Sequence, residues 1–353
     1  MIGIVETKPA EPGAPACWEV TSGRDAPLAE IVDWLGEAVG DLERTVLAAG
    51  GVCLRGFERV ATAADFAAVM AAISSELMDY VGGASPRDVV HGKIMTATKM
   101  HSSLSLPLHQ EMAYTDDFPA EIAFFCAQPP TEGGETTTGD MRLITRALDP
   151  ALRERFARKG GVQLRRTLPS RDSLHKKPGV PKSWHEAFGT DDRAAAERIA
   201  AARGWRADWL EDGSMQLWQE IRPFTIRHPL TGDEVYFNHV HTFSPYCTVK
   251  WARDDGRLEE AAAIERAFAE APHMLDRMFH GDGSEISAED ALSLRELHQR
   301  FAVPHRWMRG DILLLDNILF SHGRRIFAGE RSIQVALVKQ RAAARAATAF
   351  AAE

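Results

Sequence analysis

The chain has 353 residues, of which 45% are hydrophobic and 26% are charged, the balance of an ordinary globular protein. Its formal net charge of -9 argues against a nucleic-acid partner, which would favour a basic surface. The four cysteines form no C-x-x-C motif, the N-terminus has no signal-peptide pattern, and no apolar run reaches the roughly 20 residues of a membrane span. We therefore expect a cytoplasmic protein.

Helical periodicity dominates the first part of the chain. Apolar residues predict an amphipathic helix over 28–49, a short strand at 52–54 and a second helix over 63–77. The Gly-rich and Pro-rich segment 80–87 (YVGGASPR) predicts a loop, after which short strand-like runs begin.

The rest of the chain mixes strands and helices. The predicted elements are a buried strand at 121–127, a short helix at 140–148, helical turns within 185–212, strands within 214–243, helices over 258–279 and 288–301, strands at 311–315 and 332–338, and a helical tail from 341.

This order favours a mainly β fold with added helices. Short strands flank a helical and loop insertion at about 141–300, and the last two strands lie near the C-terminus, which suits a β-barrel or a double-sheet jelly roll. We expect one domain over 1–353, with a helical lead at about 1–79.

A metal site is indicated by the segment LPLHQEMAY, in which one residue separates His109 from Glu111. Residues i and i+2 of a strand point to the same face, so these two side chains can hold one ion. His322 follows the apolar strand LLLDNILF and supplies a third ligand. Two histidines and one carboxylate form the facial triad of iron(II) oxygenases.

A second histidine pair competes for this role. His239 and His241 also stand two residues apart, but no carboxylate accompanies them. For them we favour strand histidines that line a pocket.

Iron(II) oxygenases that use 2-oxoglutarate also need a cation for its C5 carboxylate, preferably a guanidinium. Arg331 opens the strand RSIQVAL nine residues after His322, on the same strand face as Ile333 and Val335. Arg324 and Arg325 are the fallback anchors.

These residues resemble the taurine-dioxygenase-like iron(II)/2-oxoglutarate oxygenases, in particular the branch of the syringomycin-biosynthesis hydroxylase and related amino-acid β-hydroxylases. The similar stretches follow the order of that family over most of the chain: YVGGASPR, TAT, LPLHQEMAY, PPTEGGETTTGDM, WHEAFGTDD, IRHPLTGDEVYFNHVH, GDGSEI and RGDILLLDNILFSHGRRIFAGERSIQVAL.

The resemblance implies a double-stranded β-helix, with His109, Glu111 and His322 as metal ligands. It also implies that Thr136 and Arg331 bind 2-oxoglutarate. Glutamate at the carboxylate position is usual in that branch, and a carboxylate there argues against a halogenase.

Four further residues are predicted to line the substrate pocket, with strand packing or turn capping as their alternative role. They are Thr98, Ser105, Asn238 and His241.

The activity implied is Fe(II)-dependent hydroxylation of an unactivated C–H bond, with 2-oxoglutarate and O2 as co-substrates. The expected substrate is an amino acid, free or carried by a peptidyl carrier protein, and hydroxylation at Cβ in natural-product biosynthesis is the leading outcome. A non-amino-acid metabolite or desaturation stays open. The alternatives of a different class are a zinc hydrolase, which does not explain Arg331 and Thr136, and a binding module without catalysis, against which the intact triad and anchor argue. The sequence does not indicate an oligomeric state.

Overall fold

The fold is taken from a computed structural model, which describes residues 2–80, 87–98, 100–177 and 182–341. Its strands in chain order are β1 (Gly3–Thr7), β2 (Ala16–Ser22), β3 (Gly51–Arg55), β4 (Ser74–Leu77), β5 (Val89–His91), β6 (Ile94–Thr96), β7 (Leu106–His109), β8 (Glu121–Gln128), β9 (Glu132–Gly133), β10 (Thr136–Asp140), β11 (Val162–Leu168), β12 (Arg206–Trp209), β13 (Met215–Trp218), β14 (Thr225–Arg227), β15 (Glu234–Tyr236), β16 (Arg277–His280), β17 (Val303–His305), β18 (Ile312–Asp316), β19 (Phe320–Arg324), β20 (Phe327–Ala328) and β21 (Ser332–Arg341).

The helices are α1 (Leu28–Glu37), α2 (Val39–Ala49), α3 (Ala63–Ile73), α4 (Met141–Arg146), α5 (Pro150–Arg158), α6 (Trp184–Phe188), α7 (Arg193–Ala202), α8 (Pro245–Asp254), α9 (Leu258–Glu270) and α10 (Ala288–Arg300), with 3-10 turns at Arg171–Lys176 and Pro272–Met274. Within the described residues, no helix combines the length and the apolar character that crossing a membrane requires.

Two sheets build the double-stranded β-helix core that the sequence predicts. The larger has nine strands in the order β1-β2-β3-β18-β8-β21-β6-β5, with β4 added on β21. The smaller has four strands in the order β17-β10-β19-β7. Strands distant in sequence are therefore neighbours, and β7 and β19 bring His109 and His322 into one sheet.

Strand alternation explains why the central strands of the larger sheet are apolar throughout. In β8, Phe124 and Cys126 belong to the core shared with the smaller sheet, whereas Ala123 and Phe125 belong to a second core that includes α1, α2 and α3. Because both faces are covered, the strand needs apolar residues at every position.

The N-terminal helices differ from the prediction at two points. The predicted helix over 28–49 is two helices that meet at Ala38. The second of them ends at Gly50, which has a φ of 83° and where a Cβ would lie 2.1 Å from the Phe320 ring. The helix that begins at the Thr62 cap stops at Ile73, because the residues after it pair with β21 as β4.

The region 141–300 also differs from the prediction. It contains a four-stranded sheet, β12-β13-β11-β16, as well as helices and loops. The predicted helix over 258–279 ends at Glu270, and Arg277–His280 forms β16 against β11. Helical spacing in a short amphipathic run does not reveal a partner strand more than a hundred residues away.

The remaining predictions mostly hold. The buried strand at 121–127, the helix at 288–301 and the final strand pair are confirmed within a few residues. His322 lies within a strand of its own, β19, rather than in a loop after β18. The predicted helical tail beyond Arg341 and most of the loop at 80–87 lie outside the described residues.

Candidate active site

The two sequence-predicted histidine ligands are direct neighbours across two antiparallel strands. His109 of β7 is the register partner of His322 of β19, and their ring centroids lie 4.4 Å apart. Gly323 allows this close approach, since a Cβ there would lie 2.5 Å from the carbonyl oxygen of Leu106. The sheet register therefore brings the two imidazoles together.

Glu111 lies just beyond β7 and is held by a buried asparagine. The Asn317 Oδ1 accepts from the Glu111 backbone N–H at 2.7 Å, and its Nδ2 donates to the carbonyl oxygens of Glu111 and Pro119, each at 2.9 Å. The next residue, Met112, has a φ of 55° and is the one non-glycine with positive φ in the described chain. Such backbone strain is common at active sites.

The three side chains converge closely enough to bind one ion. One ligand atom from each of His109, Glu111 and His322 lies within 4.8 Å of the others, and the His322 Nε2 is 3.8 Å from the Glu111 Oε2. Ligands about 2.1 Å from a shared ion are at most about 4.2 Å apart, so a small closure completes the coordination. The donor set of two imidazoles and one carboxylate fits a non-haem iron(II) ion.

Both imidazoles are kept neutral, as metal binding requires. Burial lowers the pKa of His109, and burial together with His109 and Arg87 lowers the pKa of His322 well below its usual value. The His109 Nδ1 lies 2.9 Å from the carbonyl oxygen of Pro107. Since a carbonyl only accepts, Nδ1 carries the proton and Nε2 is available to an ion.

His239 and His241, the second histidine pair, hydrogen-bond to the backbone on either side of His109. The His239 Nε2 donates to the carbonyl oxygen of Gln110 at 2.7 Å, and the His241 Nε2 donates to that of Leu108 at 2.6 Å. These bonds fix the backbone on both sides of His109. Burial lowers the pKa of His239 to about 3 and that of His241 well below its usual value, so both rings stay neutral.

The predicted 2-oxoglutarate residues share a cavity with the two imidazoles. Arg331 and Thr136 line it together with His109 and His322. The Arg331 Nε donates to the carbonyl oxygen of Gly134 at 3.1 Å, which orients the guanidinium. Burial and the nearby Arg324 lower the pKa of Arg331 to about 10, so it remains a cation at neutral pH.

The four predicted substrate residues lie in different places. Thr98 lines the same cavity as the imidazoles. Ser105 hydrogen-bonds to Asp255 at 2.8 Å, and Asn238 donates to the carbonyl oxygen of Phe224, also at 2.8 Å. His241 faces a separate pocket behind β7, which Ser105 also lines.

The fallback anchors have other surroundings. Arg324 donates to the backbone carbonyl oxygens of Met100, His101 and Leu104, and Arg325 is exposed. Arg324 and Arg331 both line the cavity, and Arg331 makes fewer hydrogen bonds to the described residues, so its guanidinium is the more available to a ligand.

A second cluster of metal-ligating side chains lies away from this cavity. Ligand atoms of Cys53, His305 and Asp311 lie within 4.8 Å of one another. Arg55 holds the Asp311 carboxylate through two hydrogen bonds, at 2.9 and 2.6 Å. A guanidinium already neutralises this carboxylate, so the cluster is a poorer cation site than the triad.

Sequence reasoning missed two residues beside the triad, Arg87 and Asn317. The Arg87 Nη2 donates to the Glu111 Oε2 at 2.7 Å, and both side chains are about 95% buried or more. Arg87 stands at the end of the YVGGASPR stretch, and Asn317 follows the apolar strand β18. A polar residue directly after a wholly buried strand is the signal that could have identified Asn317.

Two histidines and a carboxylate that converge beside one cavity of a double-stranded β-helix are the arrangement of iron(II) oxygenases. This protein is a 2-oxoglutarate-dependent dioxygenase that uses Fe(II). The chain belongs to the Taurine catabolism dioxygenase TauD, TfdA family, whose model matches residues 7–337.

Two curated relatives match over 82% of this chain and 82% of their own. The dapdiamide synthesis protein DdaC of Enterobacter agglomerans is 28% identical, and a clavaminate synthase-like protein of Arabidopsis thaliana is 30% identical. A solved asparagine oxygenase, in complex with Fe(II), 2S,3S-3-hydroxyasparagine and succinate, has a similar fold, with a TM-score of 0.50 and 13% identity over 87% of this chain and 79% of that one.

Proposed function

We propose that the protein hydroxylates an unactivated C–H bond, at Cβ, of an amino acid or of a carrier-tethered amino-acid intermediate in natural-product biosynthesis. In this proposal His109, Glu111 and His322 hold Fe(II). The observation that carries it is the convergence of these three ligand atoms within 4.8 Å, beside a cavity that His109, His322 and Arg331 line. The relative named for dapdiamide synthesis and the oxygenase complexed with 3-hydroxyasparagine support the substrate class.

The chain contributes binding and orientation. The iron supplies the oxidative chemistry when it is bound with 2-oxoglutarate and O2. Arg331 pairs with the C5 carboxylate of 2-oxoglutarate, since a guanidinium in a buried cavity favours an anionic partner. Thr136 lies beside it, and its Oγ1 accepts from the Trp307 Nε1 at 3.1 Å, so its own proton is available to a ligand. Phe124 and Ile333 provide apolar walls that exclude water.

The first experiment tests the metal and the co-substrate. Anaerobic protein mixed with Fe(II) and 2-oxoglutarate should develop a visible metal-to-ligand charge-transfer band. Glu111→Gln should lose this band, whereas the exposed Glu259→Gln should keep it. A protein that forms no band, or an E111Q variant that keeps it, would contradict the ligand assignment.

The second experiment tests the substrate class. Succinate release should become substrate-coupled for at least one amino acid, either free or loaded on a carrier protein, and the product should carry a hydroxyl group on Cβ. Turnover that stays uncoupled for every amino acid in both forms would exclude the class while leaving the oxygenase assignment intact.

A further inference from the structure

Arg87 is a buried cation beside the candidate metal ligands. Its side chain is 3% exposed, its Nη2 lies 2.7 Å from the Glu111 Oε2, and its guanidinium stands 4.7 Å over the Tyr80 ring. It lines the same cavity as His109 and His322. A buried guanidinium is costly to desolvate, so its position requires anionic partners.

Part of the hydrogen-bonding capacity of Arg87 is unused. Its Nε and Nη1 are buried and have no hydrogen-bond partner among the residues that the structure describes. A buried donor without a partner retains the full cost of its desolvation. A group that enters the cavity and accepts from these donors would remove that cost.

The charges around the cavity also favour an anion. Arg87, Arg324 and Arg331 line it, and Glu111 is the carboxylate beside it. A divalent ion adds two positive charges and 2-oxoglutarate adds two negative ones. The loaded site therefore keeps an excess of about two positive charges, which one further carboxylate would reduce.

We propose that Arg87 binds a carboxylate of the substrate and so selects a substrate with a free acid group next to the metal. This inference rests on the proposed function and deepens it. A thioester link to a carrier protein removes the carboxylate that it uses. An amino acid bound through its α-carboxylate would thus reach the site as the free acid, whereas a tethered one would need a side-chain carboxylate.

The test measures binding rather than turnover. Anaerobic protein loaded with Fe(II) and 2-oxoglutarate is titrated with the twenty common L-amino acids and with their α-amides, and the shift of the charge-transfer band reports binding. Aspartate and glutamate, compared with asparagine and glutamine, report on a side-chain carboxylate. We expect at least one acid to bind at least tenfold more tightly than its matched amide.

Variants assign this preference to Arg87. Arg87→Gln should reduce the preference for acid over amide to less than threefold, Arg87→Lys should keep part of it, and the exposed Arg300→Gln should match the wild-type protein. The affinity for 2-oxoglutarate should fall by a smaller factor than the preference for acid over amide. If R87Q does not fold, the R87K variant and the acid-to-amide ratio of the wild-type protein still decide the question.

Four results would overturn the inference. The first two are equal binding of acid and amide, and no shift of the charge-transfer band with any member of the panel. The other two are an R87Q variant that keeps the preference for acid over amide, and an R87Q variant whose only loss is of affinity for the metal or for 2-oxoglutarate. The last would make Arg87 a positioning residue for Glu111 or a ligand of the co-substrate. If no charge-transfer band forms at all, the proposed function fails instead.

Discussion

Replacing Asn317 by alanine tests how the fold holds Glu111. The Asn317 side chain is fully buried and makes three hydrogen bonds of 2.7–2.9 Å to the backbone of Glu111 and Pro119. Each buried group left without its partner costs about 1–3 kcal/mol, although a water molecule admitted by the smaller side chain recovers part of that. We expect Asn317→Ala to lower the free energy of unfolding of the metal-free protein by about 3–5 kcal/mol.

The same change should weaken metal binding, because a freed backbone no longer fixes the carboxylate. Residues that orient metal ligands typically contribute about 10–100-fold in affinity. Denaturant unfolding measures the first effect, and a competitive titration with Fe(II) or Mn(II) measures the second.

Asn238→Ala is the matched control. Asn238 is also buried and makes two backbone hydrogen bonds, to Phe224 and Val240, but it does not contact Glu111. It should lose stability and keep metal affinity. If N317A weakens metal binding no more than N238A does, Asn317 does not position the ligand.

Three further predictions concern the co-substrate, the pH dependence of stability and the strand register. Arg331→Met should lower the affinity for 2-oxoglutarate at least tenfold, measured by the charge-transfer band, whereas the exposed Arg325→Met should leave it unchanged. If R325M loses affinity and R331M keeps it, Arg325 is the anchor instead. Burial lowers the pKa of His298 to about 4, from about 6.5 in the unfolded chain. The neutral His298 ring therefore contributes fully to the free energy of unfolding above pH 6.5, and this contribution, about 3 kcal/mol, is lost as the pH falls towards 4. Urea unfolding between pH 4 and 7 should show a smaller slope for His298→Gln than for the wild-type protein, and an unchanged slope would refute this. Gly323→Ala should destabilise the fold by about 1–3 kcal/mol and weaken metal binding, since the added Cβ would lie 2.5 Å from the carbonyl oxygen of Leu106 and 2.6 Å from the Thr137 Oγ1. Gly36→Ala is the control and should do neither, because a Cβ there has free space around it. A G323A variant with wild-type metal affinity would show that metal binding does not require the close approach of β19 and β7.

The convergence of the triad could be predicted from the sequence, but one step of the reasoning was wrong in its detail. His109 ends strand β7, so Glu111 does not share a strand face with it. Glu111 reaches the site because Asn317, 206 positions away in the chain, holds its backbone. A contact over that distance leaves no trace in local periodicity, and the family resemblance supplied the answer instead.

The same limit explains why Arg87 was missed and why strands were overlooked in the region 141–300. Arg87 pairs with Glu111, which lies 24 residues further along the chain, beyond the strand pair β5 and β6. Strands β11, β13 and β16 are short, and their pairing joins residues about 50 to 120 positions apart. Hydrophobic periodicity reports on one element at a time, and it found the long central strands because burial on both faces makes them apolar throughout.

The two histidine pairs show what separates a ligand from a support when the spacing is the same. A metal ligand needs an unshared lone pair directed into the cavity. The His241 Nε2 donates to the carbonyl oxygen of Leu108, so Nδ1 is the acceptor, and it accepts from the Tyr236 hydroxyl at 3.1 Å. The His109 Nδ1 donates to the carbonyl oxygen of Pro107, which leaves the Nε2 lone pair free beside His322 and Glu111. The hydrogen bonds of His241 and His109, rather than their places in an H-x-H or H-x-E motif, therefore distinguish a supporting ring from one whose Nε2 is free to bind iron.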